Sequence, residues 1–572
     1  MKKILFVNPA CLDQRVTDDD ATVVPIGLYY LAALLTDKGF SAPILNLADP
    51  GMGPPGDGLG RFESVIAQEA FSVIGFSVTN ANRHQAMECA AIAKKRLKNV
   101  AIIFGGPAPT FMPGFFMDAC PDLDYIVKGE GEAACLELVK SLGSQNTVSR
   151  DCLRQIRGLV FREDGRIRDT GPARVIDDLD TLVPPSRYFT YHHLSMSRGC
   201  PGKCTFCGSP KFWGKSGVRF HSAQWFAREI RALAHKGVSH FFISDDTFTM
   251  DKPRVMELCA LISDLGITWN AISRVDHIDR DMLMQMRKAG CIQISYGVES
   301  GSKKIKKILG KPISREKAIR AFSLTASAGI MPRAYFIYGS PGETQETINH
   351  SLDLLKRLRP LGAVFYMLVV FPGTHLYHLA AQKKRVTDQI WHERIEDLPW
   401  FELDDTLDFP RVKDFGNQLR QAFYSGLEES AKNLELDDDP GLGPFHADFL
   451  SRLAMTFLSG EYAQNPWIKT AKATAEILFQ RALSFHPDQR AFMGLGMIYQ
   501  GQKRFKDAAR IMDQGLAHFP KSRDLAAGLG VSLMNLGKFS RALDLFKPFK
   551  KDPTLGPYIN ICRQKISGQA ND

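Results

Sequence analysis

A chain of 572 residues is long enough for three or four domains at about 150 residues each. Its 44% hydrophobic and 23% charged content is that of a folded, soluble protein and excludes disorder as a starting point. The net charge of +10 would suit an anionic partner, but the basic residues are spread along the chain. The densest run, SKKIKKILGK (302–311), has helical spacing and reads as a solvated face, so nucleic-acid binding is not expected. The apolar stretch AVFYMLVVF (363–371) is strand-length, well short of the ~20 residues of a membrane span. The opening MKKILFVNPA starts like a signal peptide, but Asn8-Pro9 cuts its apolar run short. Cys11, Cys89, Cys120, Cys135, Cys152, Cys259, Cys291 and Cys562 are scattered without motif spacing, the usage of a reducing cytoplasm.

In chain order, residues 1–145 alternate apolar runs with helical patterns. KKILFVN (2–8), SAPILNLA (41–48), SVIGFSV (72–78), VAIIFGG (100–106) and DYIVKGEGE (124–132) read as strands. Helices are expected over 26–39 and 83–97, with DPGMGPPGDGLG (49–60) as a loop. Continuous apolar strands separated by helices predict a doubly wound α/β domain with a parallel sheet, which takes ligands beyond the carboxyl ends of its strands. Residues 146–189 read as a linker.

Residues 190–375 repeat a strand–helix grammar, with strands starting near His193, His240, Thr268, Ile292, Pro332 and Ala363. Six such units predict a partial (β/α)6 barrel, whose chemistry belongs at the carboxyl ends of the strands. Those ends carry a cysteine cluster, Asp245-Asp246, Arg274, Glu299, GSPGE (339–343) and PGT (372–374). Residues 376–455, with Trp391, Trp400 and Phe401, read as a helical extension closing in an acidic Gly/Pro-rich linker, LELDDDPGLGP (434–444).

Over 456–556 the chain repeats. Ala475, Ala508 and Ala542 are each followed four residues later by Phe479, Met512 and Phe546, and Pro487, Pro520 and Pro553 recur every 33 residues. FMGLGMIYQ (492–500) keeps an L-G-x-x-Y core, so three tetratricopeptide-like (TPR) repeats are expected, an all-α array offering a surface to a protein or peptide. Residues 557–572 form a tail.

The cysteine cluster is SRGCPGKCTFCGSP (197–210), in which Cys200, Cys204 and Cys207 give C-x3-C-x2-C. An odd count suits neither a disulfide framework nor a closed four-ligand zinc site, and no H-E-x-x-H pattern accompanies it. Thiolates are the natural ligands of iron–sulfur clusters, and a cubane normally takes four, so three describe a [4Fe-4S] cluster with one iron open to a small molecule.

With Phe206 in the aromatic slot, SRGCPGKCTFC resembles the signature of radical S-adenosylmethionine (SAM) enzymes. The resemblance continues through FISDDTFTMD, WNAISRVDHID, AGCIQISYGVESGS and PRAYFIYGSPGET, covering nearly all of 190–375. It implies that SAM chelates the open iron and is cleaved to a 5′-deoxyadenosyl radical, with electrons from a flavodoxin- or ferredoxin-type donor. It further implies that Phe206 borders the adenine, Asp245 and Asp246 face the methionine amine, Arg274 meets the carboxylate and Glu299 takes the ribose hydroxyls. Asp245 and Glu299 would also serve as caps at helix starts.

Residues 1–145 resemble the cobalamin (B12)-binding domain that precedes the barrel in class B radical SAM methyltransferases, on VPIGLYYLAALL, VIGFSVT, IIFGGPAPT and DYIVKGEGEAACLEL. By that resemblance Ser77, Thr79, Gly105, Gly106, Gly129 and Glu130 edge a cobalamin site. The D-x-H-x-x-G motif of other cobalamin domains is missing, because the 8–24 loop has no histidine. Either cobalamin binds without a protein lower ligand or the site is vestigial. The resemblance implies a C-methyltransferase, with cyclisation or rearrangement on the same architecture as the alternative. A tRNA methylthiotransferase shares VESGS, but Cys11, Cys89 and Cys120 are not arranged for its second cluster. A different class of reading is a repeat scaffold with an inactive barrel, against which the intact cysteine trio argues.

Overall fold

The computed structural model describes residues 2–11, 23–49, 58–142, 148–214, 217–394 and 400–569. Most of the 8–24 loop, the body of the 49–60 loop, the first residues of the expected linker and the end of the tail lie outside them.

The first sheet begins with strands β1 (Ile4–Asn8), β2 (Ile44–Asn46), β3 (Val73–Ser77), β4 (Ala101–Gly105) and β5 (Tyr125–Val127), all parallel. Ile4, Val7, Val73, Ile74, Ile102 and Phe104 are buried without alternation, because helices cover both faces. Leu28 and Leu35 of the helix Ile26–Asp37 and Leu138 of Glu132–Ser141 pack on one side, and Phe62, Ala86 and Ala90 on the other. Phe62 belongs to a helix, Gly58–Gln68, that starts inside the stretch read as a loop. Strand order reverses between β1 and β3, which opens a crevice at the carboxyl edge.

The stretch 146–189 is not simply a linker. Its strands β6 (Leu159–Glu163) and β7 (Arg166–Asp169) form an antiparallel hairpin that extends the sheet to the order β2-β1-β3-β4-β5-β6-β7. Val160 and Phe161 were the apolar signal, and they sit in the cores of the two faces.

The next strands are β8 (His193–Leu194), β9 (Ser197–Arg198), β10 (Arg219–Phe220), β11 (His240–Ile243), β12 (Thr268–Ser273), β13 (Cys291–Glu299), β14 (Met331–Tyr338) and β15 (Gly362–Met367). Six of them make a second, all-parallel sheet in the order β15-β14-β13-β12-β11-β8. Each neighbour is also the next such strand in sequence, as successive strand–helix crossovers require. Phe241, Trp269, Ile294, Tyr296, Ala334 and Phe336 point into the helix-covered core, so the alternate residues face the other side. Strands β9 and β10 stand apart as an antiparallel stem enclosing 199–218, the cysteine loop.

After the helix Phe409–Lys432 the chain continues as Gly443–Leu458, Ala471–Phe485, Gln489–Gly501, Phe505–His518, Arg523–Asn535, Phe539–Phe546 and Gly556–Gln569. Ala475, Phe479, Ala508, Met512, Ala542 and Phe546 are all fully buried. Gly496 and Gly530 leave room for the Met512 and Phe546 side chains, where a methyl group would overlap them. The acidic stretch 434–444 is docked rather than free. Asp437 makes a bidentate pair with Arg280 at 2.7 Å, and its N–H donates to the Ser327 carbonyl. Arg287 donates to Phe445 O at 2.7 Å and Tyr462 to Leu361 O at 2.8 Å. Phe449, Leu450, Leu478 and Phe479 consequently share one hydrophobic core with the second sheet.

Candidate functional site

The cysteine loop closes on itself at its stem. Gly199 has φ +105°, and a Cβ there would stand 2.5 Å from Gly217 O, so only glycine lets the two ends meet. Gly202 faces both Cys200 Sγ and Cys204 Sγ, and its N–H donates to Cys200 Sγ at 3.4 Å. All three cysteines are half-buried and unpaired by disulfides. Burial raises the Cys204 and Cys207 thiols, Cys207 to about 11, while Lys311 and Arg274 pull Cys204 the other way.

Among the described residues no three His, Cys, Asp or Glu side chains converge as a single ion would require. A cubane asks for something different, since each thiolate binds its own iron at a separate corner. Backbone N–H donation to sulfur, nearby cations and a glycine leaving space between two thiols fit such a cluster.

The acidic and basic residues predicted around it divide into two groups. Asp245 is fully buried, with Oδ2 accepting from Met196 N at 2.8 Å and Oδ1 from the Ser197 hydroxyl. Burial pushes its carboxyl up to about 6. Both oxygens thus hold the base of the cysteine loop, a duty different from the expected contact with the SAM amine. Asp246 is the member of the pair near the cysteines, bonded to the Ser209 hydroxyl and within electrostatic reach of Cys207. Arg274 feels Cys200 and Cys204 and is steadied by a bidentate pair with Asp276 at 2.8 and 3.0 Å. Glu299 ends β13 at φ +64°, an uncommon conformation for a residue with a side chain, and pairs with Lys311 at 2.6 Å.

Sequence reasoning did not single out Lys311. It belongs to the lysine run read as a solvated face, and that reading holds only in part. The helix Lys303–Ile308 exposes Lys303, Lys304 and Lys307, but Lys306 turns inward to Ile313 O and Lys311 enters the site. Gly310, which would overlap Lys203 O if it bore a side chain, marks the turn that redirects the chain.

At the carboxyl edge of the first sheet, Ser77, Gly105, Gly106, Gly129 and Glu130 line a largely apolar slot of about 140 Å³. Gly106 has φ +98°, and a side chain there would crowd Val78 O at 2.8 Å. This glycine edge fits a bulky group approaching the backbone, as the nucleotide tail of a cobalamin would. Glu130 borders the slot, but its carboxylate is committed: Oε2 accepts from Arg219 at 3.0 Å and from Ile176 N at 2.8 Å. Thr79 lies outside the slot, its N–H held by Asn82 Oδ1 at 2.8 Å.

Thr79 borders instead a chamber of about 420 Å³ between the two sheets. The first domain contributes Thr79, Asn80, Pro107 and Phe111; the cysteine loop contributes Phe206, Ser209, Phe212 and Trp213; the segment after β15 contributes Phe371, Pro372 and Thr374. Phe212 and Trp213 line both the slot and the chamber, so the two are neighbours. The chamber wall is braced by Arg83, whose guanidinium donates to Asn80 O, Trp391 O and Glu393 O. Buried with carbonyl partners, it is lowered to about 10. In this way the aromatic 388–394 stretch is strapped onto the first domain.

The chain matches the model of the radical SAM superfamily over residues 194–355 and that of the B12 binding domain over 16–139. It is 30% identical over 405 residues to an uncharacterized methyltransferase of Pyrococcus horikoshii, covering 68% of this chain and 86% of that protein. It is 29% identical over 322 residues to the anaerobic magnesium-protoporphyrin IX monomethyl ester cyclase of Cereibacter sphaeroides, spanning 53% of this chain and 52% of the cyclase. In fold it resembles the radical SAM methyltransferase TsrM of Kitasatospora setae, solved with cobalamin and a [4Fe-4S] cluster (TM-score 0.59, 16% identity, 85% of this chain and 99% of that one). It also resembles the cobalamin-dependent radical enzyme OxsB (TM-score 0.58, 15% identity, 100% of this chain and 84% of that one). With a cysteine loop and a glycine-edged slot opening on adjoining cavities, this chain belongs to the radical SAM enzymes that carry a B12-binding domain.

Proposed function

We propose that the chain is a cobalamin-dependent C-methyltransferase that acts on substrate held in the chamber between its two sheets. The observation that carries this reading is the chamber's shared wall, where first-domain residues meet the cysteine loop across one cavity. When bound, the cluster supplies the electron that cleaves SAM, and cobalamin supplies the methyl group. The chain's own contribution is placement. Cys200, Cys204 and Cys207 hold the cluster, Asp246, Arg274 and the Glu299–Lys311 pair present fixed charges beside it, and Phe206 and Phe371 keep the chamber apolar. SAM's ammonium and carboxylate suit Asp246 and Arg274 respectively.

The barrel description of the second sheet and the TPR description of the last helices belong to the same proposal. The paired alanine–large apolar positions support repeats, and their free faces suit a protein or peptide partner. A flavodoxin- or ferredoxin-type donor would deliver electrons in the cytoplasm. None of the described helices is long and apolar enough to cross a membrane.

Anaerobic protein reconstituted with iron and cobalamin should show both chromophores and cleave SAM to 5′-deoxyadenosine. A cluster without cobalamin would remove methyl transfer and leave radical chemistry. Likeness to the cyclase favours ring formation as a second reading. Label from the SAM methyl group appearing in product decides for methyl transfer, and turnover without label decides for cyclisation.

A further inference from the structure

Strands β9 and β10 form the stem of the cysteine loop, and their antiparallel register sets Arg198 opposite Arg219. Two like charges side by side repel unless something is placed between or beside them. Here the first domain supplies Glu130 and Glu132, two residues apart in the stretch GEGE. Arg198 Nη2 lies 2.6 Å from Glu132 Oε1 and its Nη1 lies 3.9 Å from Glu130, while Arg219 grips Glu130. All four side chains are buried. Arg198 immediately precedes Gly199 and Cys200, so whatever fixes Arg198 fixes the start of the loop.

The same residue is a wall of the slot. Arg198 lines it beside Glu132, and Phe212 and Trp213 close it from the far side of the three cysteines. The Arg198 guanidinium lies 5.1 Å from the Tyr30 ring centroid and 5.7 Å from that of Trp213. The slot is therefore built from the first domain plus both arms of the cysteine loop. It is complete only when the loop is in place.

Building on the cobalamin reading above, we propose that Arg198 is a positioning residue that couples the two cofactor sites, so that assembling the cluster tightens the slot and filling the slot steadies the cluster. A loop pinned by three iron–thiolate bonds presents Arg198 and Trp213 already in position, and less ordering remains for the slot's ligand to impose. Such coupling is reciprocal in binding free energy, and typical values correspond to 5- to 150-fold in affinity.

The test is aquacobalamin affinity, measured anaerobically by equilibrium dialysis on full-length protein with and without the reconstituted cluster. Cluster-bearing wild type should bind roughly 10-fold or more tighter than cluster-free wild type. In Arg198→Gln and in Glu132→Gln the ratio should fall below about 2-fold, whereas Arg198→Lys, which keeps the charge, should retain part of it. A merely structural role would weaken both forms equally and leave the ratio unchanged, and that result overturns the proposal. So would equal affinities in the two wild-type forms. Absence of binding in both forms would overturn the cobalamin reading itself and this coupling with it, whereas binding without coupling would overturn the coupling alone.

Discussion

The carboxylate of Glu299 lies 2.6 Å from the ammonium of Lys311, in space that exists because residue 297 is glycine. A methyl group at 297 would overlap both Lys311 Nζ and Glu299 Oε1. Gly297→Ala should therefore push the pair apart and reduce SAM cleavage at least 10-fold while iron content stays near wild type. Lys311→Met leaves a buried carboxylate unpaired, which should lower stability by about 3 kcal/mol. Thermal unfolding with a SAM-cleavage assay checks both. Unchanged cleavage in Gly297→Ala would show that the pair lies outside the reacting geometry.

The Cys204 thiol lies within electrostatic reach of Lys311, Glu299, Arg274 and Cys200, and the residue is half-buried and outside the hydrophobic cores. Cys204→Ala should lose the cluster with the fold intact. The expected result is iron near background after reconstitution, with a circular dichroism spectrum superimposable on wild type. Iron retained at wild-type level would contradict the ligand assignment.

What could be read from the sequence was what repeats locally. The second sheet's strands were expected at His193, His240, Thr268, Ile292, Pro332 and Ala363, and they begin at or within one residue of these. Burial alternates along β11, β12 and the start of β14 and runs on continuously in the second half of β13, and either pattern leaves a trace in a short window. The alanine and large apolar positions from Ala475 to Phe546 are legible for the same reason. The duties of Glu130, Asp245 and Lys311 were not. Each depends on a partner outside its own short window, Arg219, Ser197 and Glu299 respectively, and a single polar contact of this kind leaves no period. The hairpin β6–β7 escaped because its outer strand, Arg166–Asp169, is exposed throughout and offers no apolar alternation.

Glu343 gives a pH-dependent prediction. One carboxylate oxygen accepts from the N–H groups of Gly339 and Ser340, and among the described residues the other is buried without a partner. Burial pushes the group up to about 7 from its ordinary 4.5. Between those two values the folded protein keeps a proton that the unfolded chain has released, so stability falls as pH rises through the window and levels off above it. The difference amounts to about 3 kcal/mol at 1.36 kcal/mol per unit. Glu343→Gln cannot ionise and should remove most of this slope. Unfolding curves at pH 5 and pH 8 for both proteins check it; a slope unchanged in the variant would place the titrating group elsewhere.

The helical region offers a contrast between two glycines in similar helices. Gly530 faces the fully buried Phe546, whose ring a methyl group would overlap, whereas Gly501 has nothing within 4 Å of where its Cβ would stand. Alanine raises helix propensity by up to ~1 kcal/mol over glycine in a helix interior. At Gly501, near a helix end, that gain should appear partly or wholly as a small stabilisation. At Gly530 the overlap should outweigh it, because overpacking a tight core costs about 1–3 kcal/mol. Hydrogen exchange over 523–546 should therefore speed up in Gly530→Ala and be unchanged in Gly501→Ala. Protection that survives in Gly530→Ala would mean that Phe546 can yield, and that the close approach of the two helices does not fix their spacing.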